Sequence, residues 1–314
     1  MPEIAMREAY GRALADYGKV NREVVVLDAD TSSSTLSSYF ATQFPERFFN
    51  VGIAEPCMVD MGVGFALGGM IPFVNAFAAL VALRALEQIR TCVCYGKTNV
   101  KIAAGYAGVS DFKDGPTHHA ITDIAIMRSL PEMTVVVPAD ANEAASFVKL
   151  VAEYNGPVYL RMSRSSTLPV SNPGESLEIG KGIIRKQGAD VAIISCGAML
   201  GRSMQAAELL KREGVNACVL EIHTIKPLDN VNVINVAKNT GAVVTAEEHS
   251  VLGGLGSAVA ELLADSLPVP VKRIGIKDTF TCTGPDPESI MDAYGLAVSD
   301  IVEAAKAAIR KKNR

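Results

Sequence analysis

Three groups of residues in this 314-residue sequence could carry chemistry. Glu55 stands in Gly52-Ile53-Ala54-Glu55-Pro56, just ahead of the largely apolar run from Met58 to Ala66. In the first turn of a helix a carboxylate is favoured by the positive end of the dipole, so Glu55 beside Pro56 could be a simple helix-starting acid. A carboxyl group held in apolar surroundings, however, has a raised proton affinity and can share a proton with a heterocyclic nitrogen. The second group is Lys113-Asp114-Gly115-Pro116-Thr117-His118-His119, which sets two of the four histidines side by side. Asp-Gly-Pro favours an exposed turn. The segment also follows an expected parallel strand, and ligands of open α/β sheets bind at the carboxyl ends of strands. No third ligand lies at a spacing suited to a metal, so metal is not expected here. The third group is scattered: Arg7, the Ser/Thr tract from Asp30 to Ser34, and Arg161 with Arg164. Guanidinium forks and loop hydroxyls suit a phosphate, while surface ion pairs account for single arginines equally well.

Two weaker signals read as structural. Gly253-Gly254-Leu255-Gly256 resembles a phosphate cradle, but Glu247-Glu248-His249 intervenes after the strand, so tight strand-to-helix packing is the better reading. Cys92 and Cys94 lie in a helical stretch, where residues two apart point to different sides, and do not read as a redox pair.

The elements that must position these residues alternate. Short Val/Ile runs separated by Ala-rich helical stretches predict an α/β fold with two domains, each a mainly parallel sheet flanked by helices. In the first half, strands are expected at Val24–Asp28, Phe48–Val51, Ile71–Asn75, Lys101–Ala104, Thr134–Pro138 and Val158–Arg161, and a helix over Ala79–Tyr95. A Ser-, Pro-, Asn- and Gly-containing stretch of little periodicity begins at Ser163. It divides the chain into a first domain at 1–165, a linker at 166–185 and a second domain at 186–314. Each half is large enough for its own core.

Composition narrows the function classes. Hydrophobic residues make up 49% and charged residues 20%, which describes a globular chain and excludes a disordered or collagen-like one. A formal net charge of −4 carries no polyanion-binding signature, so nucleic acid is not an expected partner. The first residues read as a charged amphipathic helix without a signal core, and no apolar stretch is long enough to suggest a membrane partner. Six irregularly spaced cysteines fit reduced thiols in a cytoplasmic protein.

Together, GIAEPCM at 52–58, NAFAAL at 75–80, the block KDGPTHHAITDIAIMRSLPEMTVVVPADANEA at 113–144 and RMSR at 161–164 resemble the transketolase family of thiamine-diphosphate (ThDP) enzymes. The likeness continues more loosely through EIHTIKPLD and TAEEHSVLGGLGSAVAELL. The resemblance implies a pyrimidine-binding domain followed by a transketolase C-terminal domain, and transfer of a two-carbon ketol unit from a ketose to an aldose. It implies that Glu55 hydrogen-bonds the ring nitrogen of the cofactor's aminopyrimidine and that Phe77 stacks on that ring. Asp114 and His118 would contact the hydroxyls and carbonyl end of the ketose, with His118 able to exchange a proton near neutral pH. Arg7, Ser34 and Arg164 match positions that grip a sugar phosphate, with Asp30 beside them.

The sequence departs from the family pattern in ways that bear on function. Tyr106 occupies the place of a substrate-contacting His, and Leu80 and Leu83 replace further aromatics of the pyrimidine pocket. A modified or branched sugar phosphate is therefore expected. The Gly-Asp-Gly that holds the cofactor's diphosphate and metal in this family is absent. The resemblance thus implies the C-terminal subunit of a split transketolase. An N-terminal partner subunit would supply the diphosphate site with its Mg2+ or Ca2+, and the chain would self-associate into the dimer core of an α2β2 heterotetramer. Two alternatives are the β-subunit of a 2-oxo-acid dehydrogenase's decarboxylase component, which usually shows Gly-Pro followed by Gln-His-Ser, and a non-catalytic assembly or regulatory subunit.

Overall fold

The computed structural model describes residues 4–312. Helix α1 (Met6–Val20) buries Met6, Tyr10, Leu14 and Gly18 at four-residue spacing. Strand β1 (Val24–Asp28) follows, then the short helices α2 (Ser32–Thr35) and α3 (Ser38–Gln43), and β2 (Phe48–Asn50). Helix α4 (Glu55–Leu67) starts at Glu55 with Pro56 beside it. Next come β3 (Ile71–Phe77), α5 (Ala78–Arg84), α6 (Leu86–Gln88), β4 (Lys101–Gly105), α7 (Asp123–Ser129), β5 (Thr134–Val136), α8 (Ala141–Glu153) and β6 (Val158–Arg161). β1 and β4 are buried along their whole length, as central strands of a parallel sheet covered on both faces must be.

The helix expected over Ala79–Tyr95 is not continuous. α5 ends at Arg84, and Ile89–Tyr95 winds as a π-helix. The buried residues Val81, Ala85, Ile89 and Val93 recur every four positions. That spacing overshoots the 3.6-residue α period, and a wider turn keeps them all facing the core. Cys92 and Cys94 lie in this segment as free thiols.

The second half holds β7 (Ile183–Lys186), β8 (Val191–Ser195), α9 (Met199–Arg212), β9 (Ala217–Glu221), β10 (Thr224–Lys226) and α10 (Asn230–Thr240). β11 (Val243–Ser250), α11 (Leu255–Ser266), β12 (Val271–Ile276), α12 (Pro287–Ala293) and α13 (Val298–Lys312) complete it. β7 opens inside the span read as linker. Two sheets result, ordered β10-β5-β6-β4-β3-β1-β2 and β12-β11-β8-β9-β7. Every pairing is parallel except β10 with β5 and β7 with β9. β10 belongs by sequence to the second half yet extends the first sheet, so the two halves share main-chain hydrogen bonds. A buried side chain adds to them: Arg161, ion-paired with Asp123 at 2.8 Å within the first half, donates to the backbone oxygen of Glu248 in the second at 3.0 Å.

Candidate active site

The carboxyl ends of the first sheet's strands converge on the residues singled out by type and spacing. Asp30 follows β1, Phe77 ends β3, Tyr106 follows β4 and Arg164 follows β6. Arg7 reaches the same edge because α1 runs back along the sheet before β1, which places its first turn there.

Tyr106 is the hub of this cluster. Its ring stacks on Phe77 with centroids 4.2 Å apart, and its hydroxyl oxygen accepts from Arg7 Nη1 at 3.0 Å. The guanidinium carbon of Arg164 lies 5.3 Å from the Tyr106 centroid and 5.5 Å from that of Phe112. The His118 ring meets the edge of Phe77 at 6.0 Å. Tyr106 has a φ of 60°, a left-handed conformation that costs a non-glycine residue about 1–3 kcal/mol and is met chiefly where a site demands it. Two residues on, Gly108 is required: a Cβ there would lie 2.1 Å from Cδ of Glu248. That close approach lets the Glu248 carboxylate accept from Val109 N at 2.8 Å.

Arg7, Phe77, Tyr106, His118 and Arg164 are thus linked by direct contacts. Ser34 joins through its backbone oxygen, which accepts from Arg7 at 2.9 Å. Asp30 does not join: it is exposed, and its carboxylate accepts from Asn50 instead. Arg161 is structural, buried in its ion pair with Asp123. Asp114 is exposed ahead of the single turn Gly115–Thr117, and His118 Nδ1 meets Thr117 Oγ1 at 2.9 Å. The adjacent histidines have separate fates. His118 is half-buried at the site, whereas His119 is buried, with Nδ1 2.5 Å from Thr281 Oγ1 and Nε2 3.1 Å from the Asp111 oxygen.

Glu55 stands apart from this cluster. Its side chain is 2% exposed, and its one side-chain partner among the described residues is Arg84, at 2.8 Å from Oε1. Leu80 is partly buried and Leu83 exposed on the adjoining helix α5. Arg84 escaped the reading of the sequence because it sat in an expected helix, 29 positions from its partner. Asp111 escaped it too. It is buried, its Oδ2 has no hydrogen-bond partner, and burial together with neighbouring Asp114 pushes its pKa up to about 6. The Gly-rich stretch holds no outside anion, because the carboxylate of Glu247 already accepts from the Leu255 and Gly256 N–H groups.

Two family models cover nearly the whole chain: the transketolase pyrimidine-binding domain at 2–169 and the transketolase C-terminal domain at 180–308. The chain belongs to the transketolase family. A transketolase C-terminal section from Methanocaldococcus jannaschii is 42% identical over 98% of this chain and 97% of its own length. A 6-deoxy-6-sulfo-D-fructose transketolase subunit from a Clostridium species is 36% identical over 98% of this chain and 95% of its own. A solved structure described as a split gene transketolase, inactive β4 tetramer, superimposes with a TM-score of 0.92 at 47% identity, covering 98% of this chain and 99% of that one.

Transketolases depend on ThDP, and the residues present fit its aminopyrimidine half. Glu55 is a buried carboxylate with one oxygen held by Arg84 and the other without a side-chain partner among the described residues, and Phe77 is an aromatic at the carboxyl edge of the sheet. The diphosphate half finds no counterpart. The sequence has no Gly-Asp-Gly, and among the described residues no three His, Cys, Asp or Glu side chains are grouped to hold a metal ion. Nor is any helix among them long and apolar enough to cross a membrane.

Proposed function

We propose that this chain is the C-terminal subunit of a split transketolase, acting with an N-terminal subunit that binds the cofactor's diphosphate and its Mg2+ or Ca2+. On this reading residues 1–165 form the pyrimidine-binding domain, 166–185 the linker and 186–314 the C-terminal domain. The observation that carries the proposal is the joint presence of a buried, Arg-held Glu55 and the Arg7–Tyr106–Arg164 cluster, in a chain with no diphosphate motif.

When bound, ThDP would supply the nucleophilic carbon for transfer of the two-carbon unit. The residues of this chain bind, orient and move protons. Glu55 Oε2 would accept the hydrogen bond of the pyrimidine ring nitrogen, while Arg84 keeps Oε1 occupied and the carboxylate in one orientation. Phe77, backed by Tyr106 on one face, forms the wall of the pyrimidine pocket. His118 has Nδ1 committed to Thr117, which leaves Nε2 to exchange a proton with a substrate oxygen. Asp114 accepts from a substrate hydroxyl. Arg7 and Arg164 grip the anionic end of the sugar and Ser34 borders it, while Asp30, turned to Asn50, lies outside the cluster.

Tyr106 donates one neutral hydrogen bond where the family places a His, which favours a modified or branched sugar phosphate. The relative described as a 6-deoxy-6-sulfo-D-fructose transketolase subunit supports a substrate range wider than the ordinary phosphates. The test is reconstitution. The purified chain alone should give no turnover, and addition of a subunit containing Gly-Asp-Gly should restore ThDP binding and two-carbon transfer together. Full activity from the isolated chain would overturn the two-subunit reading.

A further inference from the structure

Asp111 is 2% exposed, and its Oδ2 is buried with no hydrogen-bond partner. Its carboxyl group meets that of Asp114, which leaves Oδ2 as the buried oxygen without a partner, and buried carboxylate oxygens are ordinarily paired. Its surroundings are fixed. The Asp111 backbone oxygen meets His119 Nε2, and the next residue's oxygen accepts from Gly284 N at 3.0 Å. The charged and titratable groups facing it are Asp114 and His118 from its own loop and Arg164 from the loop after β6. Lys113 lies outside, over the Phe112 ring, and His119 is held toward its neutral form by burial. Neither Arg164 nor Arg7 forms an ion pair with a carboxylate among the described residues, but Arg164 is tied to the residues on both sides of Asp111: its N–H donates to Ser110 Oγ at 3.1 Å and its guanidinium carbon lies 5.5 Å from the Phe112 ring centroid, so the Asp111 carboxylate feels its charge. Two free guanidiniums match a dianion. A buried carboxylate behind one of them subtracts from that charge.

We propose that Asp111 is a specificity-determining residue: acting through Arg164, its buried carboxylate lowers the positive charge at the anion-binding end, so the site takes a donor sugar ending in a singly charged tetrahedral acid of the sulfonate class ahead of one ending in a phosphate dianion. This rests on the reading that Arg7 and Arg164 grip the sugar's acid end. With a pKa of about 6, Asp111 is ionised at pH 7.5. A phosphate ester is then largely dianionic and a sulfonate still singly charged, so the repulsion falls on the phosphate. As pH drops toward 5.5, Asp111 and the phosphate both take up protons, and the discrimination should fade.

The experiment uses the chain reconstituted with its partner subunit, one aldose acceptor, and two donors: fructose 6-phosphate and the ketohexose bearing a sulfonate at carbon 6. Asp111→Asn keeps the shape and removes the charge. At pH 7.5 it should raise kcat/KM for the phosphate about tenfold, through KM, and for the singly charged sulfonate only about threefold, because the repulsion scales with the ligand's charge. At pH 5.5 the two proteins should discriminate alike. An unchanged phosphate-to-sulfonate ratio at pH 7.5 in a folded variant overturns the proposal. Should the variant not fold, the wild-type protein decides at pH 7.5: the sulfonate ahead supports the proposal, and the phosphate equal or ahead overturns it. No two-carbon transfer from either donor would instead bring down the transketolase reading itself.

Discussion

Arg84 determines how Glu55 can work. A buried carboxylate that must meet a heterocycle nitrogen gains from being held in one orientation, and a guanidinium at 2.8 Å holds it. Glu55→Ala should abolish exchange of the cofactor's thiazolium proton in the reconstituted enzyme while leaving assembly intact; an unchanged exchange rate would contradict the role given to Glu55. Arg84→Ala leaves the carboxyl group in place but free to turn, so kcat should fall about tenfold with donor KM unchanged. On the proposed reading, Arg164 grips the acid end of the sugar. Losing its charge-assisted hydrogen bonds should raise KM about tenfold or more for acid-bearing donors and leave an uncharged ketose unaffected, whereas equal losses with both would exclude an anion clamp. Glu55, His118 and Arg164 stood out in the sequence as candidates because a helix-starting acid, a His-His loop and a strand-end arginine each carry a local signal. Arg84 and Asp111 were not. Their roles come from partners brought near by the sheet edge, and no short-range spacing encodes that.

The loop after β4 depends on the second half of the chain. Its hydrogen bonds run from Val109 N to Glu248, from Gly284 N to the Phe112 oxygen, and between His119 and Thr281. The alternation of strands and helices was readable from Val/Ile runs, as was the parallel pairing. The three-residue β10 was not, because so short a segment has no periodicity and its partner strand lies in the other half. Glu248 gives this clasp a pH signature. Burial raises its pKa from 4.5 to about 7, against the pull of Arg161 and the Val109 N–H. The folded chain therefore keeps a proton that the unfolded chain releases. The group's contribution is fully present below about pH 4.5 and is lost as pH rises through 7, a change on the order of 3 kcal/mol. Glu248→Gln cannot ionise, yet its carbonyl can still accept from Val109. It should raise Tm by several degrees at pH 8 and by much less at pH 5, measured by thermal unfolding of the folded chain. Equal shifts at the two pH values would show that Glu248 stays ionised throughout.

At the scale of the whole molecule, the surface around Glu55 is unusual for a finished one. Ile53 is 72% exposed two residues before the buried carboxylate, and Leu83 is 58% exposed next to Arg84. Exposed apolar side chains flanking a candidate site fit a surface that is covered on assembly. Covering it would also complete the walls of a pyrimidine pocket that this chain builds only in part. If the cover is a second copy related by twofold symmetry, each side chain enters the interface twice, so a single substitution acts twice. Burying a leucine or isoleucine contributes about 1.5–3 kcal/mol, so the paired loss should weaken association by about a hundredfold or more. Leu83→Asp and Ile53→Asp should therefore shift the free chain toward monomer in sedimentation velocity while its circular dichroism stays unchanged. Val20→Asp is the control: Val20 is 81% exposed at the far end of α1, and its loss should leave the assembly as it was. An assembly size indifferent to Leu83 and Ile53 would mean that the Glu55 face meets only the N-terminal subunit, and the same variants should then weaken the mixed complex instead.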